Sequence, residues 1–241
     1  MSKIYFVLPA YNEEANIEAV IKQWHPICER LQREGNDAHI VIADDGSKDN
    51  TFQIMQALQN QYPLLDPLHK QNSGHGATVL YLYRYAISKG ADYIFQTDSD
   101  GQTNPDEFWQ MWKNREKYDF QIGHRSDRQD GSSRVFVTKV LRLVVWLMFH
   151  EWVKDANTPF RLMRTDKLQP IMDVIPQDYF LCNVAISAIA VKWNYKIGWY
   201  EITFKPRQGG VNSINMRRII KIGWKALKDF KVINDGLKKI E

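Results

Sequence analysis

Short apolar runs alternate with segments of helical periodicity through the first half of the chain. The runs IYFVLP (4–9), HIVIA (39–43) and DYIFQT (92–97) have the length and composition of buried strands. Between the first two, apolar residues recur every three or four positions, which predicts a helix with one buried face. Gly35 is expected to end it. The residues of that face are Ile17, Val20, Ile21, Trp24, Cys28 and Leu31.

Local signals predict further helices. Asn50 is expected to cap a short helix after the second strand, because asparagine is favoured at that position. A glycine-broken loop, QNSGHGA (71–77), leads to a helix that ends at Gly90. Asn104 followed by Pro105 predicts a sharp helix start, since proline fits the first helical position.

This order of elements predicts an α/β fold. Strands joined through helices by short links give right-handed crossovers and a mostly parallel, Rossmann-type sheet with helices on both faces. The second half is less regular, with a helix near 134–149, a strand at TPFRLM (158–163), a helix near 183–192 and a basic C-terminal helix.

Composition favours one domain. The chain has 241 residues, of which 44% are hydrophobic, enough for a sizeable core. No Pro/Ser/Gly-rich linker divides it, so residues 1–241 are expected to form a single domain. Cys28 and Cys182 lie in apolar surroundings and are expected to be reduced core thiols. The N-terminus lacks the pattern of a signal peptide, which favours a cytoplasmic protein.

The charge is unevenly distributed. The net charge is +4, while residues 216–241 carry eight Lys/Arg and three Asp/Glu, so this segment has +5 and the rest about −1. Its apolar positions form one helical stripe beside a basic face, which favours an anionic membrane surface as partner. The alternative is that the stripe packs on the protein's own core. The longest apolar stretch, 140–149, is too short to span a bilayer and is broken by Arg142.

Polar clusters follow each predicted strand of the first half: PAYNEE (9–14), ADDGSKDNT (43–51) and TDSDGQ (97–102). In parallel sheets, ligands bind beyond the carboxyl ends of the strands. Asp98 and Asp100 offer two carboxylates there, the ligands that Mg²⁺ or Mn²⁺ prefers when substrate phosphates complete the shell.

The second cluster suggests a nucleotide. A carboxylate before its turn, for which Asp45 is our choice, can accept a hydrogen bond from a nucleobase N–H, and PAYNEE can wall the base or ribose. Neither a G-x-G-x-x-G nor a Walker sequence is present. The diphosphate is therefore expected to bind through the metal.

These segments resemble glycosyltransferase family 2, the inverting enzymes of the GT-A fold, through FVLPAYNEEANI, VIADDGSKDNT and QTDSDGQTNPDE. The resemblance is closer to the polyprenyl (dolichol) phosphate sugar synthases. It extends through QIGHRSDRQDGSSR and VKDANTPFRLMR to ITFKPRQGGVNS, and so covers residues 4 to about 213. Pro159 stands where that family usually has glycine, and PQDYFLCN (176–183) lacks an acidic residue often found there.

The resemblance implies transfer of a hexose from a UDP- or GDP-sugar to a polyprenyl phosphate. Residues 1–123 would bind the donor and 124–241 the acceptor. An acceptor phosphate needs cations rather than a general base, and these would be Arg125, Arg128 and Arg134, with Thr138 one helical turn later. The enzyme would act as a peripheral protein at the cytoplasmic face of the membrane, and no nucleic-acid partner is expected.

The candidate site residues fall into groups by role. The catalytic candidates are Asp100, Arg125 and Arg134. The nucleotide-binding candidates are Pro9, Ala10, Tyr11, Glu13, Asp45 and Asp98. The metal candidates are Asp98, Asp100 and Gln102, and a loop with Arg207 and Ser213 either closes over the diphosphate or is a structural turn.

Two other functions remain open. The acceptor could be a sugar hydroxyl of a growing glycan, with Asp155 or Asp178 as general base. The chain could instead be a non-catalytic nucleotide-sugar binder, which the intact set of Asp98, Asp100 and Gln102 disfavours.

Overall fold

The computed structural model of the chain describes residues 1–124 and 155–205. They form an α/β structure around one sheet. Its strands are β1 (Lys3–Ala10), β2 (Asp37–Asp44), β3 (Leu65–His69), β4 (Tyr93–Gln96), β5 (Phe120–His124), β6 (Arg161–Arg164) and β7 (Ile197–Glu201). The helices are α1 (Ile17–Arg33), α2 (Thr51–Gln59), α3 (His75–Ser88), α4 (Phe108–Lys113), α5 (Thr165–Val174) and α6 (Cys182–Lys192), with a 3-10 turn at Pro105–Glu107.

The sheet order is β3-β2-β1-β4-β6-β5-β7. All neighbouring pairs are parallel except those made by β6, which runs antiparallel to both β4 and β5. The predicted mostly parallel sheet is therefore confirmed. The carboxyl ends of β1, β2 and β4 lie side by side at one edge, which brings the three predicted polar clusters together.

Alternate residues of β1 face two hydrophobic layers. Tyr5 and Val7 pack under α3, α5 and α6. Ile4, Phe6 and Leu8 pack under α1, α2 and α4. The six predicted core positions of α1 are all buried. Because both faces of β1 are covered, its apolar run is continuous rather than alternating, as in other parallel sheets.

The end of α1 agrees with the sequence. Gly35 follows α1 with a φ of 83°, a conformation that glycine adopts without the steric cost of a Cβ. Cys28 and Cys182 are both buried free thiols, as expected.

Two local predictions were wrong. The run at 92–97 is β4 rather than the third strand, because LDPLH forms β3 ahead of it. Pro67 lies within β3, and a proline is tolerated there because β3 is an edge strand of the sheet. Asn50 precedes α2 but does not cap it; its side-chain amide donates to Glu14 Oε2 at 3.2 Å. Asn104 does cap the 3-10 turn, accepting from the amide of Asp106 at 3.3 Å.

Within residues 1–124 and 155–205, no helix is long and apolar enough to cross a bilayer. The predicted helix near 134–149 and the basic C-terminal helix lie outside the described residues.

Candidate functional site

A cavity of about 400 Å³ opens where the carboxyl ends of β1, β2 and β4 meet. The sequence predicted much of its lining: Pro9, Ala10, Tyr11, Glu13, Asp45, Asp98 and Asp100 all line it. These residues come from three separate segments, and the parallel register of β1 with β2 and β4 brings them together.

The loop after β1 is fastened to the turn after β2. Asn12 has a φ of 54°, and its backbone amide donates to Ser47 Oγ at 2.9 Å while its side-chain oxygen accepts from the amide of Lys48 at 2.8 Å. The amide of Glu13 donates to Thr51 Oγ1 at 2.8 Å. These bonds fix the loop that carries Tyr11 against the turn after β2.

The two adjacent carboxylates after β2 have different surroundings. Asp44 is fully buried beneath the site, where it accepts from the amide of Ser47 and lies 2.7 Å from His69 Nδ1. Asp45 lines the cavity and is itself 3% exposed. Asp44 is therefore a buried structural residue, whereas Asp45 lies at the cavity surface.

Asp45 is held by the loop between β3 and α3. Its Oδ1 accepts from Lys70 Nζ at 2.5 Å and from the amide of Ser73 at 2.9 Å, and its Oδ2 accepts from the amide of Gly74 at 2.8 Å. Burial by itself raises the pKa of the Asp45 carboxyl, but the bonds from Lys70 and Ser73 bring it below its ordinary value. Asp45 is therefore an ionised acceptor at neutral pH.

Asp98, Ser99 and Asp100 all line the cavity after β4, and the Ser99 hydroxyl donates to the carbonyl of Pro9 at 2.7 Å. Asp100 Oδ1 accepts from the amide of Gln102 at 3.1 Å. Among residues 1–124 and 155–205, no three carboxylate, imidazole or thiol side chains form a complete metal site. Two carboxylates in an open cavity fit Mg²⁺ or Mn²⁺, which take remaining ligands from a diphosphate and water.

Gln102 lies outside the lining of this cavity. Its side-chain amide nitrogen donates to the carbonyl of Lys205 at 2.9 Å, and the amide of Lys205 donates back to the carbonyl of Gln102 at 2.8 Å. The side chain thus fastens the segment after β7 to the segment after β4. Its role as a metal ligand stays a prediction.

Comparison with known proteins decides the family. Residues 5–185 match the model described as Glycosyl transferase family 2, which is well over half of the chain. The chain belongs to glycosyltransferase family 2. It is therefore an enzyme, and the family predicted from its motifs is confirmed.

Curated relatives of this glycosyltransferase act on lipid phosphates. A UDP-N-acetylglucosamine–dolichyl-phosphate N-acetylglucosaminyltransferase of Methanococcus voltae is 28% identical over 216 residues, 81% of this chain and 82% of the relative. The polyprenol monophosphomannose synthase of Mycolicibacterium smegmatis is 22% identical over 222 residues, 87% of this chain and 80% of the relative.

A solved structure shares the fold of the glycosyltransferase. Glucosyl-3-phosphoglycerate synthase from Mycobacterium tuberculosis, crystallised with Mn²⁺, UDP and glucosyl-3-phosphoglycerate, matches with a TM-score of 0.68. The match covers 98% of this chain and 80% of the synthase chain, at 16% sequence identity. The predicted GT-A-like fold is confirmed.

The glycosyltransferase has cavity residues that the sequence did not single out: Asn72, Gly74, His75 and Thr78. They come from the loop before α3 and its first turn. His75 Nε2 lies 3.9 Å from Asp98 Oδ1. The QNSGHGA stretch predicted a loop. The position of that loop over Asp45 depends on the pairing of β3 with β2, which no local sequence pattern reveals.

A segment of the second half lies against this cavity wall. A Cβ on Gly76 would come within 2.4 Å of the carbonyl oxygen of Phe180 and 2.5 Å of that of Tyr179. The backbone of 179–180 therefore crosses directly over the first turn of α3, and only glycine allows that approach. Asp178 is exposed beside this crossing, whereas Asp155 is buried.

Arg161 supports the same region from below. Its fully buried guanidinium donates to the carbonyls of Ala156, Thr158 and Asn183 at 2.8 to 3.2 Å. Burial lowers the pKa of Arg161. Arg161, which follows Phe160 in the VKDANTPFRLMR motif, thus ties the residues before β6 to the start of α6.

The remaining predicted site residues of the glycosyltransferase lie outside the described residues: Arg125, Arg128, Arg134, Thr138, Arg207 and Ser213. The described residues that precede two of these segments are His124, at the end of β5, and Lys205. Arg125 directly follows the end of β5, and Arg207 follows Lys205, which is bonded to Gln102.

Proposed function

We propose that this glycosyltransferase moves a hexose, with inversion, from a UDP- or GDP-sugar to a polyprenyl phosphate in a reaction that depends on Mg²⁺ or Mn²⁺. The observation that carries the proposal is the convergence of Asp45, Asp98 and Asp100 on one cavity at the strand ends. Such a cavity combines an acceptor for a base with two ligands for a diphosphate-bound metal. Supporting it, two relatives are named for transfer to dolichyl phosphate and for polyprenol monophosphomannose synthesis.

The donor would lie along the cavity from base to diphosphate. Asp45 accepts an N–H of the nucleobase, and the ring of Tyr11, which is 43% exposed, provides an aromatic wall beside the base or ribose. Asp98 and Asp100 would hold the metal, which when bound neutralises the departing diphosphate without a proton donor. The fastened loop of Asn12 and Glu13 keeps this arrangement in place, which reduces the reorganisation needed during reaction.

The acceptor would enter from the second half. A lipid phosphate is already an anion, so it needs cations to position it and no side chain to remove a proton. Arg125 and Arg134 would contact the phosphate, with Arg128 and Thr138 completing the site. The backbone crossing at Gly76 supports this division, because it puts residues 179–180 beside the donor cavity.

One observation favours a second candidate function. Asp178 is exposed two residues before the crossing at Phe180, where a carboxylate could serve as general base for a sugar hydroxyl. The product would then be a glycosidic linkage rather than a sugar phosphate. Asp155 is buried and is the weaker candidate for this role.

The products distinguish the two functions. Purified protein is incubated with a panel of UDP- and GDP-sugars, Mn²⁺ and membranes, and the extracted lipid is analysed by mass spectrometry. We expect a polyprenyl phosphate sugar that mild acid cleaves, absent with Asp100→Ala. A glycan product that resists mild acid, and that Asp178→Asn abolishes, would favour the hydroxyl acceptor instead.

A further inference from the structure

The loop that carries Asp98 and Asp100 is closed at its base by two buried threonines. The hydroxyls of Thr97 and Thr103 share a hydrogen bond, with their oxygens 2.9 Å apart. Thr97 is fully buried and Thr103 is 2% exposed, so water does not compete for this bond. We call residues 98–102, which lie between the two threonines, the metal loop. The two ends of the metal loop are therefore tied to each other.

The segment 203–205, which follows β7, pairs with the end of the metal loop. Phe204 forms an antiparallel bridge with Thr103. The amide of Lys205 donates to the carbonyl of Gln102 at 2.8 Å, and the side-chain amide of Gln102 donates to the carbonyl of Lys205 at 2.9 Å. The backbone of Gln102 is thus held by residues that lie 103 positions later in the sequence.

This held backbone bears directly on one of the two carboxylates. The amide of Gln102 donates to Asp100 Oδ1 at 3.1 Å, so the direction of the Asp100 carboxylate depends on where that amide lies. A carboxylate that is already oriented loses less conformational freedom when it binds a cation. Such preorganisation strengthens binding, and the partners of a metal ligand can therefore set the affinity of the site.

Glu107 fastens the other end of the segment 203–205. Both of its carboxylate oxygens accept from the amide of Thr203, at 2.9 and 3.0 Å. The residue after Glu107 is Phe108, which is fully buried, and its ring centroid lies 4.9 Å from that of Phe6 in β1. The carboxylate is therefore carried by a part of the backbone that the core holds in place.

We propose that Glu107 is a positioning residue for the metal site. It anchors the segment 203–205, which holds the backbone of Gln102, and that backbone in turn orients the Asp100 carboxylate. The inference rests on the proposed function, since it takes Asp98 and Asp100 to hold the metal. Glu107 lies outside the cavity lining and acts through its acceptor oxygens rather than through its charge.

Binding of Mn²⁺ to the full chain tests the proposal, and the loss of the electron paramagnetic resonance signal of free Mn²⁺ measures it. The titration is made with Mn²⁺ alone and is repeated with UDP and with GDP. Glu107→Ala removes both acceptor oxygens, so the Mn²⁺ dissociation constant should rise roughly tenfold, the order expected when one residue must be ordered on binding. Glu107→Gln keeps one oxygen for the Thr203 amide and should restore most of the lost affinity.

Asp106→Asn is the matched control. It removes a charge from the same 3-10 turn and leaves the bond between Glu107 and Thr203 in place, so it should keep the wild-type affinity. Equal weakening by Glu107→Ala and Glu107→Gln would overturn the proposal, because Glu107 would then act through its charge. A folded Glu107→Ala protein with wild-type affinity would also overturn it, since the anchor would then serve the fold alone.

Glu107→Asp keeps the test decisive if the alanine variant does not fold. Its side chain keeps the charge but is one methylene shorter, so the bond to the Thr203 amide is lost and Mn²⁺ should bind more weakly than in Glu107→Gln. The opposite order of these two variants would overturn the proposal. Failure of the wild type to bind Mn²⁺ under all three conditions would instead refute the metal site, and with it the metal dependence of the proposed function.

Discussion

Ser99 donates its hydroxyl hydrogen bond to the carbonyl oxygen of Pro9 at 2.7 Å and so joins the two walls of the cavity. Pro9 belongs to the predicted nucleotide wall, and Ser99 lies between the two predicted metal ligands. The bond is buried and spans 90 residues of sequence. The spacing between these two walls of the cavity is therefore set by a hydrogen bond within the protein.

The first prediction concerns the metal. Asp100→Ala should abolish transfer and Asp98→Ala should lower it strongly, because each removes a carboxylate from the cavity. EDTA should inactivate the wild type, and added Mn²⁺ should restore activity. Asp106→Ala is the control, since this exposed carboxylate lies in the 3-10 turn and outside the cavity lining. Full activity in EDTA would rule out the metal.

The second prediction concerns the nucleotide contact. Asp45→Ala should weaken binding of the nucleoside diphosphate by about 1–3 kcal/mol, the cost of losing an acceptor for a buried donor. Calorimetry should still detect binding of Mn²⁺ to this variant in the absence of nucleotide. An unchanged nucleotide affinity would show that Asp45 only holds the loop before α3.

The pH dependence of stability follows from the same carboxylate. The folded pKa of Asp45 lies below its ordinary value of 3.8, so its stabilising contribution is fully present above the unfolded pKa and is lost as pH falls through the folded value. The difference in free energy of unfolding between wild type and Asp45→Asn should therefore be constant near neutral pH and shrink below about pH 4. Urea unfolding across this range measures it, and a difference that grows on acidification would contradict the assignment.

The third prediction concerns the loop after β1. Asn12→Gly removes the bond to the Lys48 amide but keeps a residue suited to a φ of 54°. Asn12→Ala removes the same bond and adds a left-handed strain of about 1–2 kcal/mol. Alanine should therefore lower the free energy of unfolding more than glycine does. Equal losses from the two variants would show that the backbone of this loop relaxes freely.

The fourth prediction concerns the acceptor. Arg125→Ala or Arg134→Ala should each cost about 1.5–3 kcal/mol in transition-state stabilisation, the range for hydrogen bonds to charged groups. Slow hydrolysis of the nucleotide sugar by water should persist, because the donor site is unchanged. Arg164→Ala is the control, since Arg164 pairs with Asp166 away from the cavity. A parallel loss of transfer and hydrolysis would place these arginines at the donor instead.

The fifth prediction concerns the membrane. The basic segment 216–241 should bind anionic vesicles, with about 1 kcal/mol from each Lys or Arg near the surface. The protein should sediment with anionic but not neutral vesicles, and high salt should release it. Deleting 216–241 should remove vesicle binding and leave nucleotide affinity intact. Should the deletion unfold the protein, the segment belongs to the core and another surface must meet the lipid.

The sequence predicted most of the sheet and the cavity because its strong signals were local. Continuous apolar runs marked β1, β2 and β4, and the polar residues after them lie together since parallel strands end at one edge. The strand β3 was not predicted because Asp66 and Pro67 interrupt its apolar pattern, and an edge strand needs less apolar character. The α5 helix and β7 also went unpredicted, as both are short and half-buried.

Contacts between distant segments could not be predicted from local pattern. Asn50 was expected to cap α2, but its side-chain amide donates instead to the carboxylate of Glu14, 36 residues earlier. Lys70 gave no signal as a single lysine in a polar loop, yet the fold places it 2.5 Å from Asp45. Both depend on which strands become neighbours, and that information is not present within either segment.

The position of β6 has a consequence for dividing the chain. β6 belongs to the proposed acceptor half, yet it lies between β4 and β5, which belong to the proposed donor half. A fragment that ends at residue 123 would expose the backbone edge of β4 and leave β5 unattached. The two halves can thus differ in function without being separable as modules. A chimera that exchanges acceptor halves between family members must keep the four residues of Arg161–Arg164 matched to both neighbouring strands.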